Sequence, residues 1–271
     1  MEQETSYHSL KELQSTLVNN AENNFIQFLY KMFDQFNVDK MLRDYRVGTA
    51  VSWHNATVFW QIDQEEKIRG GKIISYNKMG KRTKYINWIH ATQIKNKEIN
   101  SFHLKQCLFG LHLTNQAQKV IAIVESEKTA CIMSLLFDKY IWLAAGSLSG
   151  LTESKLKPLR DRKIILYPDL GISEKTKSPF EQWCLKQKYF EKKGFDVAIS
   201  DLLERKGNEM HKREGYDLAD YFLENNSNKP RKLISGHHQK YISLYMKNKN
   251  LKTLIDVFDL EDENGDQIYL L

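Results

Sequence analysis

Two carboxylates in this 271-residue chain stand where chemistry is commonly done. Glu125 directly follows the apolar run Val120-Ile121-Ala122-Ile123-Val124, and Asp169 follows Ile164-Ile165-Leu166-Tyr167 through Pro168. Short continuous apolar runs of this kind read as buried strands of a parallel sheet, and such sheets bind ligands beyond the carboxyl ends of their strands. A lone acidic residue there is ordinarily a helix cap or a solvated loop residue. Two in one βαβ sheet form a candidate site. Carboxylates converging at that point suit Mg²⁺ (or Mn²⁺), a hard cation that takes one or two carboxylates and completes its shell with waters and phosphates. Such an ion stabilises charge in phosphodiester chemistry or anchors a nucleic-acid backbone. Lys128, one turn into the next helix, could reach a phosphate or could simply be a solvated helix residue. Asp217 and Asp220 join the metal candidates if their segment folds back over the strand ends; Asp217 is equally suited to cap a helix starting at Leu218.

Other constellations do not assemble. His90, His103, His112 and the pair His237-His238 lack metal-ligand spacing with any Cys or Asp, so no zinc site is predicted. Ser147 sits beside glycines without the Gly-x-Ser-x-Gly spacing of a nucleophile elbow. Gly146-Ser147-Leu148-Ser149-Gly150 could cradle a phosphate, and reads more simply as a βα turn. Cys107, Cys131 and Cys184 are too few and too scattered for a disulfide framework, which points to reduced thiols and a cytoplasmic protein.

The elements that must position Glu125 and Asp169 are strands alternating with helices. Strands are expected at Lys119–Val124, Tyr140–Ala145, Lys163–Tyr167 and Asp196–Ser200, with helices through Phe137 and from Phe180 to Lys193. This alternation implies βαβ units and a mostly parallel sheet with flanking helices. Upstream, apolar positions from Leu10 to Phe36 recur at helical spacing; Asn37-Val38-Asp39 then reads as an interruption, with Asp39 capping a short helix to Tyr45. From Val47 to Ile94 the β-branched and aromatic pattern predicts a small antiparallel sheet, with turns at Gly70-Gly71 and Asn77-Lys78-Met79-Gly80. The expected organisation is therefore α/β: residues 1–104 a smaller α+β region, 105–225 the parallel-sheet domain, and 226–271 a linker, a helix from about Tyr241 to Phe258 and an acidic tail.

A net charge of +6 permits nucleic-acid binding without establishing it. Lys72, Lys81, Arg82 and Lys84 are the nucleic-acid-binding candidates, interleaved with Trp53, Phe59, Trp60, Tyr76, Tyr85 and Trp88. Those rings could stack on bases, or could fill a small core. No apolar run approaches the ~20 residues that a bilayer requires, so no membrane is expected among its partners.

The segment Val120–Ala130, containing Glu125-Ser126-Glu127-Lys128-Thr129, resembles the first motif of TOPRIM domains in primases of phages and mobile elements. Leu108-Phe109-Gly110-Leu111, Ala144–Ser147, Leu166–Asp169 and Lys212–Tyr221 resemble, in order, the segment that precedes such domains, their glycine turn, their Asp-x-Asp motif and the segment after their core. The resemblance spans roughly residues 105–225 and implies a TOPRIM-like fold. It implies a primase-like nucleotidyltransferase acting on DNA or RNA with Mg²⁺, in replication or mobile-element maintenance, beside a helicase or a zinc-binding primase component. Carried over, this gives Glu125 acid–base or metal work and Asp169 metal work; Lys128 is a catalytic candidate only through the phosphate contact that its place in the helix allows. Two positions depart from the family: Ser126 replaces a glycine, and Gly171 replaces the second aspartate, which should weaken the metal site. A TOPRIM nuclease and a non-catalytic nucleic-acid-binding module are the alternatives.

Overall fold

The computed structural model describes residues 4–18, 20–115, 118–173, 177–226, 244–245 and 247–258, and it divides into two compact units, Met1–Asn226 and Ser227–Leu271. The first is a mixed α/β unit with two four-stranded sheets. One is antiparallel, in the order β1 (Val47–Ala50), β2 (Ala56–Ile62), β3 (Ile68–Tyr76), β4 (Arg82–Trp88). The other is parallel, in the order β6 (Tyr140–Ala144), β5 (Val120–Val124), β7 (Ile164–Leu166), β8 (Val197–Ile199). A single antiparallel bridge, Phe109 to Ala144, sits beside β6.

Period-two alternation assigns each strand residue to a layer. In β5, Ala122 and Val124 face a central core shared with Phe59, Ile74 and Tyr76 of the antiparallel sheet, while Ile121 and Ile123 face an outer core with Trp183 and Phe190. Helices α2 (Asn24–Met32), α3 (Gln35–Tyr45) and α5 (Glu127–Leu136) fill the central layer, and α7 (Pro179–Lys192) covers the outer face. Across the antiparallel sheet, Val58, Trp60, Ile62 and Ile73 pack with Leu13 of α1 (Leu10–Thr16). The two sheets thus share one apolar layer.

Local polar residues set the boundaries, and several lie away from their expected places. The expected helix over Leu10–Phe36 is divided by caps: Asn23 Oδ1 accepts from the N–H groups of Phe25 and Ile26, and Asp34 from Asn37 N–H. Asp39 is not a cap; it lies inside α3 and accepts from Tyr30 O–H at 2.5 Å. Gly70 and Gly71 form no turn. They run within β3 because a Cβ at Gly70 would lie 2.9 Å from Leu104, and one at Gly71 2.7 Å from Ile89 and 2.8 Å from Trp60. The reversal before β3 is made by Asp63, whose Oδ1 accepts from Glu65 and Lys67 N–H. The strand pattern expected to run to Ile94 ends at Trp88, and Ile89 begins α4 (Ile89–Lys95).

Phe59, Trp60 and Tyr76 are buried, so these rings fill cores; Tyr85 is 55% exposed. All three cysteines are free thiols. Among the described residues no helix is long and apolar enough to cross a membrane. The second unit contains a helix at Asn250–Phe258, started by Asn248, whose Oδ1 accepts from Asn250 N–H. The helix expected from Tyr241 is therefore interrupted there. The expected linker and acidic tail lie largely outside the described residues.

Candidate functional site

β5 and β7 are neighbours, paired in parallel from Ile121–Ile164 to Ile123–Leu166, so their carboxyl ends deliver Glu125 and Asp169 to one place. The backbone N–H of Asp169 donates to Glu125 Oε1 at 3.4 Å. Ser126 adopts an extended conformation (φ −104°) and its Oγ accepts from Thr129 N–H, so Ser126 caps α5.

Asp217 and Asp220 reach the same place from 90-odd residues away. Gly215, in the left-handed conformation (φ 67°), ends α9 (Glu209–Glu214) and turns the chain back. Tyr216 O then accepts from Leu170 N–H at 2.9 Å, which ties this segment to the loop carrying Asp169. Asp217 does two jobs. Its Oδ1 accepts from Asp220 N–H at 2.8 Å, capping α10 (Leu218–Asn226), and its Oδ2 accepts from Thr129 Oγ1–H at 2.6 Å. Lys128 Nζ bridges the pair, 3.2 Å from Asp220 Oδ1 and 3.7 Å from Asp217 Oδ2.

Crowding of carboxylates in a water-poor site sets the electrostatics. Burial pushes Glu125 up to about 7, with Asp217 adding to the rise and Asp169 N–H and Lys186 opposing it. Asp169 is held well above the usual carboxylate range by burial and then by Glu125, Asp217 and Asp220. Asp220 is raised by burial and Asp217. Burial opposes the charge of Lys128, but Asp217 and Asp220 outweigh it and hold the ammonium above its ordinary value. The Asp169 Oδ1 atom is buried and has no hydrogen-bond partner among the described residues.

These groups open into a cleft of about 360 Å³ between the two sheets. Its other wall is β3 and β4, where period two puts Lys72, Ile74 and Tyr76 on one face opposite Trp88, Ile86 and Arg82. Lys72 is engaged: its Nζ lies 2.9 and 3.1 Å from the carboxylate oxygens of buried Glu127 and donates to Gly146 O at 2.9 Å. The Arg82 guanidinium lines the cleft with no hydrogen bond or ion pair among the described residues. Lys81 and Lys84 are exposed on the same hairpin without lining the cleft, and Lys84 Nζ lies 5.4 Å from the Tyr85 ring centre.

Tyr76, one of the rings considered for base stacking, lines the cleft, and so does Glu127, which sequence reasoning did not single out. For Glu127, two residues beyond Glu125, nothing local announces a partner on another sheet. Gly171 carries no carboxylate, and a Cβ there would lie 3.0 Å from the Pro179 ring, so the loop closes over the position.

Among the described residues, no three His, Cys, Asp or Glu side chains are arranged to hold a metal ion. The residues fit a hard divalent cation of the Mg²⁺ kind, which needs few protein ligands. Glu125 and Asp169 would hold it, and the unpartnered Asp169 Oδ1 is the atom that asks for a cation.

A family model described as "Domain of unknown function (DUF6371)" matches residues 23–170, more than half of the chain. No curated protein matches. Solved structures similar to the chain include the Aquifex aeolicus primase (zinc binding and RNA polymerase domains), at 14% identity and a TM-score of 0.45, covering 88% of this chain and 67% of that one. The RNA polymerase domain of Mycobacterium tuberculosis primase DnaG is similar at 13% identity and a TM-score of 0.45, covering 93% and 90%. The primase fragment of the bacteriophage T7 primase-helicase is similar at 14% identity and a TM-score of 0.40, covering 73% of each chain.

Proposed function

The chain belongs to the DUF6371 family, and we propose that its cleft is a TOPRIM-like site that binds DNA or RNA and, with Mg²⁺ or Mn²⁺, performs primase-like nucleotidyl transfer. The observation that carries this reading is the buried Asp169 Oδ1, without a hydrogen-bond partner among the described residues, beside Glu125 in a cleft that Arg82 also lines. Carboxyl groups on one wall, which a divalent ion would hold as carboxylates, and a cation on the other suit a phosphate bridged to the acidic wall by that ion.

Glu125 and Asp169 would hold the ion, which when bound supplies positive charge against developing charge on a phosphoryl group. Arg82 would receive a phosphate in the two-pronged geometry that guanidinium favours. Lys128, fixed by Asp217 and Asp220, would offer a second phosphate contact at the end of α5 nearest the site. The Tyr76 phenol has no hydrogen-bond partner among the described residues and could donate to a substrate oxygen.

A second reading, a nucleic-acid-binding module without catalysis, is favoured by one feature. Gly171 removes a carboxylate, and Lys128 already neutralises part of the acidic cluster. One experiment separates the readings: incubation of the protein with single-stranded DNA, nucleotides and Mg²⁺ or Mn²⁺, beside Glu125→Gln. Primer products that vanish in Glu125→Gln support nucleotidyl transfer, shortened DNA indicates a nuclease, and a mobility shift alone indicates a binding module. If no nucleic acid binds at low salt, all three readings fail.

A further inference from the structure

The loop after β6, residues 145–151, forms part of the cleft wall through Gly146, Ser147 and Leu148. Its carbonyls are turned onto ammonium groups from three separate elements. Lys155 of α6 (Glu153–Leu156) donates to Ala145 O at 3.0 Å, and Lys72 of β3 to Gly146 O at 2.9 Å. Lys186 of α7 reaches three carbonyls at once: Leu148 O at 3.1 Å, Ser149 O at 3.2 Å and Leu151 O at 3.0 Å. An ammonium has three N–H donors, so Lys186 is saturated by this loop. Trp183, on the same helix, adds its Nε1–H to Leu148 O at 3.0 Å.

A lysine built to meet a phosphate keeps donors free, whereas Lys186 has none left over. It also stands near the acidic wall, since its charge acts on the Glu125 carboxylate. Removing its ammonium would leave three carbonyl dipoles converging with nothing between them. Their mutual repulsion would push the loop apart or draw in a small cation.

We propose that Lys186, with Lys155 and Lys72 as its companions, is a positioning residue of the cleft: it acts through the 145–151 loop, holding it at the spacing from Glu125 that a bound nucleic acid requires. This inference rests on the proposed function of the cleft. It goes beyond that function in assigning the rigidity of one wall to an ammonium that touches no ligand.

The test uses the whole chain as wild type, Lys186→Met and Lys186→Ala. Methionine keeps the apolar stem, so it guards against simple loss of packing. Three quantities are read: hydrogen exchange of the amides of residues 147–151, melting temperature, and affinity for a single-stranded DNA oligonucleotide in Mg²⁺. Each is compared in ammonium and sodium chloride at equal ionic strength. Both variants are expected to exchange faster in the loop and to bind about ten-fold more weakly, the effect of losing one charge-assisted bond network, with melting temperatures close to wild type. Ammonium is expected to restore binding in Lys186→Ala, whose vacated space admits it, and not in Lys186→Met. Unchanged loop exchange in Lys186→Met overturns the inference, as does faster exchange with unchanged oligonucleotide affinity. A wild type that binds no oligonucleotide overturns the proposed function as well, whereas normal wild-type binding with an unaffected Lys186→Met overturns this inference alone.

Discussion

Asp169 illustrates how a single buried carboxylate ties stability to binding. Because Glu125 and Asp169 are both raised, the folded protein holds protons that the unfolded chain releases. Their contribution is therefore fully present below the unfolded carboxylate values, 4.5 for Glu125 and 3.8 for Asp169, and is lost as pH rises toward the raised folded values, about 7 for Glu125. For Glu125 that span corresponds to about 3 kcal/mol. In chelator, the melting temperature is expected to fall between pH 5 and pH 7.5, and to fall less in Asp169→Asn, which removes one of the crowded charges. Thermal denaturation checks this; a wild-type melting temperature that climbs over this range refutes it. At pH 7.5, Asp169→Asn should melt above wild type without metal. Addition of Mg²⁺ should raise wild type and leave the variant nearly unmoved, because only a ligand that binds the native state stabilises it. Equal Mg²⁺ responses in the two proteins would remove Asp169 from the cation site.

At the scale of elements, the buried Lys72–Glu127 pair joins β3 of one sheet to the start of α5 in the other layer, with side-chain exposures of 11% and 1%. Removing one partner strands a charge away from water. Lys72→Met is expected to cost about 3–5 kcal/mol, and pairing it with Glu127→Leu should recover most of the loss. Urea denaturation of the two single variants and the double variant checks this, and additive losses would show the pair to be unimportant. Within β3, Gly71→Ala brings a methyl group to 2.7 Å from Ile89 and 2.8 Å from Trp60, side chains packed in the same apolar cluster. A destabilisation of about 1–3 kcal/mol is expected from overpacking, read from the same denaturation curves. A neutral Gly71→Ala would mean that the sheet has slack at this crossing.

For the whole molecule, the cleft exists because the two sheets share an apolar layer and so hold the basic hairpin opposite the acidic strand ends. If that opposition serves nucleic acid, affinity should fall steeply with salt. Arg82→Ala should then weaken binding across sequences and lower the logarithmic salt slope by about one. Fluorescence anisotropy with oligonucleotides of different sequence measures both. A salt-independent affinity, or an unchanged slope in Arg82→Ala, would place the nucleic acid elsewhere.

Much of this protein was legible along the chain because the deciding signals are local. An apolar run followed by a carboxylate marks a strand end wherever it occurs, and Glu125 and Asp169 were identified in that way. The four parallel strands and the helices between them followed from the same short-range periodicity. The breaks in the N-terminal helices were misplaced because Asn23 and Asp34 are only two of several residues able to cap, and packing chose among them. Gly70-Gly71 reads as a turn in isolation; the rings and side chains laid across β3 make it a strand. What only the tertiary structure decided is partnership. Lys72 found Glu127 from 55 residues away, and Thr129 met Asp217 from 88. No spacing rule records such distances, because they are set by the topology of two sheets and the turn at Gly215. A sequence can name a charge, but the fold determines which opposite charge or carbonyl satisfies it, and therefore which cation lining the cleft, here Arg82, has no ion pair among the described residues.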